Sequence, residues 1–125
     1  METQEELKIG IGNEEVITLK PTIVKIMEVR IEEVGTTKKA KKVICACKHP
    51  DALDTIQISA VKYETKGKLE TVGLWVNKDS KGLIRKGSAL AVFLNFSGAN
   101  TVEEVKGKEI ATTTDDKNYL VFKGY

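Results

Sequence analysis

The stretch TIVKIMEVRIEEV runs thirteen residues from Thr22 to Val34 without a glycine or proline, and its apolar members are mostly β-branched. Such side chains suit a pleated, half-buried surface, and the length is about twice that of an ordinary strand. Val24 and Ile26 share one phase of the strand alternation, whereas Met27, Val29 and Ile31 share the other. A change of phase inside one strand predicts a bulge or bend near Ile26 and Met27. A long first strand that bends in the middle can serve two sheets of a small closed barrel.

The remaining elements follow from local signals. GTTKKAKK is a basic turn, after which VICACK predicts a second strand with Val43, Cys45 and Cys47 on one face. Pro50 interrupts the pattern, and DTIQISAVKY predicts a third strand that returns through ETKGK, centred on Gly67, to LETVGLWV. On that returning strand Val72, Leu74 and Val76 form the apolar row, leaving Thr71, Gly73 and Trp75 on the opposite side. Ser88 is placed to cap a short helix over about residues 89–96, with Leu90, Phe93 and Leu94 as its apolar stripe and Gly98 as its stop. Thr101 and Glu104 have the spacing of a capping box, and KEIATTT and NYLVFK, joined at DDKN, are the last two strands. Towards the start, residues 1–13 predict a loose N-terminal segment and EEVITLK a short edge strand, so that 14–125 form a single domain.

A chain of 125 residues hides roughly two thirds of its unfolded surface on folding, enough to fold without disulfides or metals. The beginning, METQEELK, is acidic where a secretory signal is basic and then apolar, and no apolar run reaches the roughly 18 residues of a membrane span; a cytoplasmic location is expected. The net charge of +2 conceals an asymmetry. Residues 1–33 carry eight acids and four bases (−4), leaving 10 acids and 16 bases (+6) in the remainder, which permits a basic face for a polyanion.

In layout, a long bent strand, a strand, a strand hairpin, a helix and two strands, the chain from Thr22 to Lys123 resembles the oligonucleotide-binding (OB) fold, with Leu69 to Val76 as one extra strand. The resemblance is topological and implies a mostly β fold: a five- to six-stranded barrel, or a strongly bent antiparallel sheet, with the helix between the third and fourth main strands. In that family the loops between strands one and two and between strands four and five flank the ligand groove. The turn carrying Lys38, Lys39, Lys41 and Lys42 falls at the first of these, while Asp115, Asp116, Lys117 and Asn118 make the second acidic on balance.

Trp75, facing away from the apolar row, and Tyr63, if it shares that face, stand among Lys62, Lys66 and Lys78. Aromatic rings among basic groups suit single-stranded DNA or RNA, because each ring stacks on any base while the lysines follow phosphates. Tyr119 is a further candidate for this groove, whereas Phe122 belongs with Leu120 in the core. Gly73 beside Trp75 would let a ligand approach the backbone. The competing expectation is an assembly module, with Trp75 and Tyr63 in a contact between copies or with a partner protein.

Cys45, Cys47 and His49 form C-x-C-x-H, three possible zinc ligands on one face at strand spacing, but zinc usually takes four, and two cysteines in an inward row read first as small buried hydrophobes. His49 is the sole histidine and no nucleophile in a recognisable setting accompanies it, so neither an enzyme nor a cofactor is expected. The glycines of KIGIGNEEV fall short of a dinucleotide fingerprint.

Overall fold

The computed structural model describes residues 19–35 and 40–125. The long strand forms as β1 (Ile23–Val34), and its register against β2 (Ala40–Lys48) shifts between Ile26 and Glu28. Val24 and Ile26 are fully buried before the shift, Val29 packs on the core after it, and Met27 is the exposed residue in between. The bulge lets one strand serve two neighbours: Ile23–Lys25 pair with β6 (Glu109–Thr114), and Lys25–Val34 pair with β2. β2 begins at Ala40, three residues before the predicted apolar run, because its first residues are held opposite Val34 and Glu33 by the ladder rather than by burial.

The predicted third strand is two strands. β3 (Ile56–Ile58) pairs with β2, Ser59 breaks the alternation, and β4 (Ala60–Thr65) continues with Val61 inward. β4 then pairs antiparallel with β5 (Lys68–Gly73) through a two-residue turn, in which Lys66 (φ +53°) and Gly67 (φ +79°) both take left-handed backbone. This is the twist that a tight hairpin demands. On its other side β4 pairs in parallel with β7 (Leu120–Gly124), which in turn pairs antiparallel with β6.

The seven strands of the described residues form one mixed sheet in the order β3-β2-β1-β6-β7-β4-β5, an open order with one parallel pairing, where the sequence predicted five or six strands and a barrel or an antiparallel sheet. The difference arises at Ser59, where one predicted strand splits into two that pair with different partners; the predicted extra strand forms as β5 but ends at Gly73 rather than Val76. After β5 the chain does not leave the sheet. The Leu74 N–H donates to the Ser59 carbonyl (2.8 Å), the Leu74 carbonyl accepts from Val43 (2.8 Å), and the Val76 N–H donates to the Lys41 carbonyl (2.8 Å). Leu74–Val76 therefore lie against β2.

The α-helix of the described residues, α1 (Ala89–Ser97), follows β5 and covers the inner face of the sheet. Ser88 Oγ accepts the Ala91 N–H (3.2 Å) at its start, and Gly98 ends it at φ +70°. Leu90, Phe93 and Leu94 are buried as the helical spacing predicts, and Phe93 stacks on Phe122 of β7 with ring centroids 4.5 Å apart. Fully burying each such side chain contributes about 1.5–3 kcal/mol. The capping box forms differently from its prediction: Glu104 Oε1 accepts from the N–H of Asn100 rather than Thr101, and only a 3-10 turn, Glu103–Val105, follows. Gly124 packs so closely that a Cβ there would lie 2.9 Å from Val61 Cγ2. The predicted N-terminal segment and most of EEVITLK lie outside the described residues, and Leu19 and Lys20 are not in a strand. Among the described residues no helix is long and apolar enough to cross a membrane.

Candidate nucleic-acid interface

Alternation on the β4–β5 hairpin assigns the two faces. Val61 and Val72 are cross-strand partners on the inner side, which leaves Ala60 and Gly73, and Lys62 and Thr71, paired on the outer side. At Leu74 the chain makes a tight turn, the Trp75 N–H donating to the Gly73 carbonyl (2.9 Å). The indole thereby folds back over Gly73 on the outer face, and Lys42, which bridges to Trp75 from β2, holds its ammonium 5.0 Å from the ring centroid. A Cβ at Gly73 would meet Trp75 Nε1 at 2.8 Å and Lys42 Cε at 2.9 Å. Gly73 is thus required for close approach, as its position predicts, but the approaching groups are Trp75 and Lys42 themselves rather than a ligand. Half-buried Trp75 keeps part of its surface open beside a cation, an arrangement worth about 0.5–1 kcal/mol at an exposed site.

The outer face continues across β2 and β1. Arg30 lies opposite Ile44, and its Nη1 donates to Gln57 Oε1 of β3 (2.7 Å), while Glu32, opposite Lys42, is ion-paired with Arg30. Arg30 is a basic residue of this face that the sequence did not single out. Its signal was strand phase, hidden by the bulge that precedes it.

The predicted lysines separate. Lys42 joins Trp75; Lys41 points to the opposite side, across from Glu33; Lys38 and Lys39 lie outside the described residues. Lys62 is on the outer face and its Nζ donates to the Thr114 carbonyl (3.1 Å), tying β4 to the end of β6. Lys66 occupies the hairpin tip, and Lys78 is exposed in the loop that follows Trp75, bridged to Ile84. Tyr63 does not share the Trp75 face. It is the partner of Glu70, in phase with Val61, and packs against the core. One step of alternation, displaced by the break at Ser59, accounts for this correction.

Beside Thr71 a shallow groove of about 590 Å³ opens between β5 and the β6–β7 turn, lined by Lys62, Leu69, Thr71, Asp116, Lys117 and Tyr119 among others. Asp115 Oδ1 accepts the N–H groups of Lys117 (2.8 Å) and Tyr119 (2.9 Å), which fixes the turn, and Asn118 takes φ +67° within it. Tyr119 is 67 % exposed. Thr71 and Gly73 are two residues apart on one face, so the groove begins roughly 7 Å from the indole.

The members of the C-x-C-x-H row lie in different settings. Cys45 and Cys47 are buried in the core, and burial pushes both thiols up to about 12, with the neighbouring Cys45 adding to the effect at Cys47. Fully buried His49 uses both ring nitrogens: Nε2 is 2.8 Å from the Lys20 carbonyl, to which it donates, and Nδ1 accepts the Asp51 N–H (3.0 Å). That tautomer, assigned from the hydrogen-bond partners, leaves no lone pair for an ion. Among the described residues no group of three His, Cys, Asp or Glu side chains stands together to hold a metal.

Sheet order and helix define a small mixed-β protein with a basic, aromatic patch on one sheet face. No protein-family model, curated protein or solved structure matches the chain.

Proposed function

We propose that the protein is a non-catalytic binder of single-stranded DNA or RNA with little overall sequence preference, built as an OB-type barrel. The barrel reading draws on connectivity. β1 is shared between β2 and β6, β4 runs parallel to β7, the helix falls between β5 and β6, and the bonds of Leu74 and Val76 sew the end of β5 to Ser59 and β2. The OB fold is a five-stranded, partly open Greek-key barrel of this kind.

One observation carries the functional reading: a partly open tryptophan is fixed on the outer sheet face by a cation, with further basic groups, Arg30 and Lys62, on the same face. Bases stack on such a ring at about 1–3 kcal/mol each, and the lysines neutralise phosphates. Lys42 contributes both as the ring's partner and as a phosphate contact, with Lys62 on the same face; Lys66 and Lys78 extend the basic surface, and Lys38, Lys39 and Lys41 are further phosphate candidates from the sequence.

The test is a titration of Trp75 fluorescence with a mixed-sequence single-stranded oligonucleotide at several salt concentrations, with duplex as comparison. Quenching that favours the single strand is expected. Three to seven phosphate contacts would give a slope of log affinity against log salt of about −2 to −5. The competing assembly reading demands the opposite: Trp75 shielded from soluble quenchers, no response to any nucleic acid, and a mass of more than one chain by light scattering.

A further inference from the structure

We infer that the edge of β1 turned away from β2, from Glu28 to Val34, is the interface for a second copy of this chain, whose own β1 pairs with it antiparallel about a two-fold axis at Ile31. The inference goes beyond the single-strand reading and does not rest on it. β6 covers this edge through Ile23–Lys25, and the Ile26 N–H and carbonyl extend the contact to the Lys108 carbonyl (2.9 Å) and the Gly107 N–H (2.7 Å). Past the bulge no strand among the described residues pairs with β1 there, although its other edge is paired with β2 as far as Val34. On β2 the Lys41 carbonyl and the Val43 N–H bond to Val76 and Leu74 on the far side, so Lys42 and Ile44 turn their backbone groups towards Glu32 and Arg30. Alternation then leaves the N–H and carbonyl groups of Val29, Ile31 and Glu33 along the edge in question.

Such an edge is a template for another strand, and proteins commonly blunt one with lysine or proline. Glu28–Val34 contains neither, and Ile31 and Val34 are 49 % and 42 % exposed. Its charges complement its own reversed sequence. With Ile31 opposite the second copy's Ile31, Arg30 stands opposite the copy's Glu32, Glu28 opposite Val34 and Val29 opposite Glu33, so that no like charges face each other across the seam. Arg30 and Glu32 are already ion-paired within one chain, and two copies join them into a closed network. Glu33 keeps Lys41 as its cross-strand neighbour, and Glu28 keeps Lys106 (3.2 Å). Sliding the copy by one residue puts the edge-facing groups out of step, and sliding by two sets Arg30 against Arg30 or Glu32 against Glu32. A slide of four sets Glu33 against Glu33 in one direction and in the other needs Ile26, which Gly107 and Lys108 already hold. In the remaining register Val29 with Glu33, Ile31 with Ile31 and Glu33 with Val29 each exchange a pair of backbone hydrogen bonds. Trp75 lies beyond β2, away from the seam, and stays accessible.

The experiment is light scattering on the full chain over a range of concentrations, where the wild type is expected to approach twice the 13.8 kDa of one chain. Arg30→Glu opposes acid to acid at both symmetric sites and Glu32→Arg opposes base to base, so each variant alone should associate about tenfold more weakly or worse. Mixed in equal amounts, the two complement each other at both sites and should form a heterodimer, read by a fluorescent label on one of them. Ile31→Pro removes the central edge-facing N–H but leaves the β1–β2 ladder, whose bonds run through Arg30 and Glu32, and should abolish the dimer. An unchanged circular dichroism spectrum shows each variant folded. A one-chain mass of the wild type at every concentration would overturn the inference and leave the edge to a different protein. A dimer that persists in all three variants would overturn it too, by placing the contact elsewhere, as would two folded charge variants that fail to associate when mixed.

Discussion

The two faces of β2 differ as much as any two regions of this molecule, although they alternate residue by residue. Val43, Cys45 and Cys47 point into a core with no exposed surface, while Lys42, one residue from Val43, lies over an indole on the outer face. Inside, free energy comes from apolar area and close packing and is insensitive to salt. Outside, the same backbone carries charges and one open ring, whose value lies in what they bind. A face can therefore be altered without the other noticing, provided the strand itself is kept.

The largest effect should come from the core. Phe93→Ala removes the ring stacked on Phe122 and is expected to cost about 3–5 kcal/mol by urea unfolding, with Trp75 emission in the folded state little changed. The mirror experiment is Trp75→Ala, read with a fluorescently labelled oligonucleotide: a loss of about 1–3 kcal/mol in binding, 5- to 150-fold, with stability lowered by no more than about 1 kcal/mol. An unfolding midpoint that drops as far as that of Phe93→Ala would place Trp75 in a second core.

A smaller effect concerns the thiols. Both have folded-state values near 12 against an ordinary 9.0, so the unfolded chain loses its thiol protons first and stability should fall as pH rises from about 9 to 12. Per thiol the slope approaches about 1.4 kcal/mol per pH unit inside that window and vanishes below it. Comparing unfolding at pH 8 and pH 10 for the wild type and Cys45→Ala/Cys47→Ala isolates the thiols from the lysines and tyrosines, since the variant lacks only the former. Smallest of all, Lys42→Glu should reduce the salt slope of oligonucleotide binding by about one unit or slightly less, with Lys41→Glu, on the other face, changing it less. Equal effects would mean that the strand's two faces are not distinguished by the ligand.

Legibility in the sequence followed the same division. The long strand with its mid-course bulge, the Ser88-capped helix stopped at Gly98 and the hairpin over Gly67 were all readable, since each is set by residues within a few positions of one another. Trp75's outward position was readable too, from the alternation of Val72, Leu74 and Val76. The condition that Tyr63 share the Trp75 face is not met, because a phase break at Ser59 leaves no mark in the local pattern: it occurs where the strand exchanges β2 for β7, a decision made by partners more than fifty residues apart in sequence. Arg30 and Tyr119 likewise gain their settings from strands that meet only on folding.

By itself, then, the sequence determined the mostly β class, the Ala89–Ser97 helix and its caps, and the inward row that buries Cys45 and Cys47, because periodicity, capping and turn chemistry act over a few residues. Only the tertiary structure decided the strand order with its parallel β4·β7 pairing, the folding of Trp75 over Gly73 beneath Lys42, and the use of both His49 nitrogens by backbone groups. Those features depend on hydrogen-bond partners and contacts across strands, and alternation assigns a residue to a face without saying which strand lies beside it.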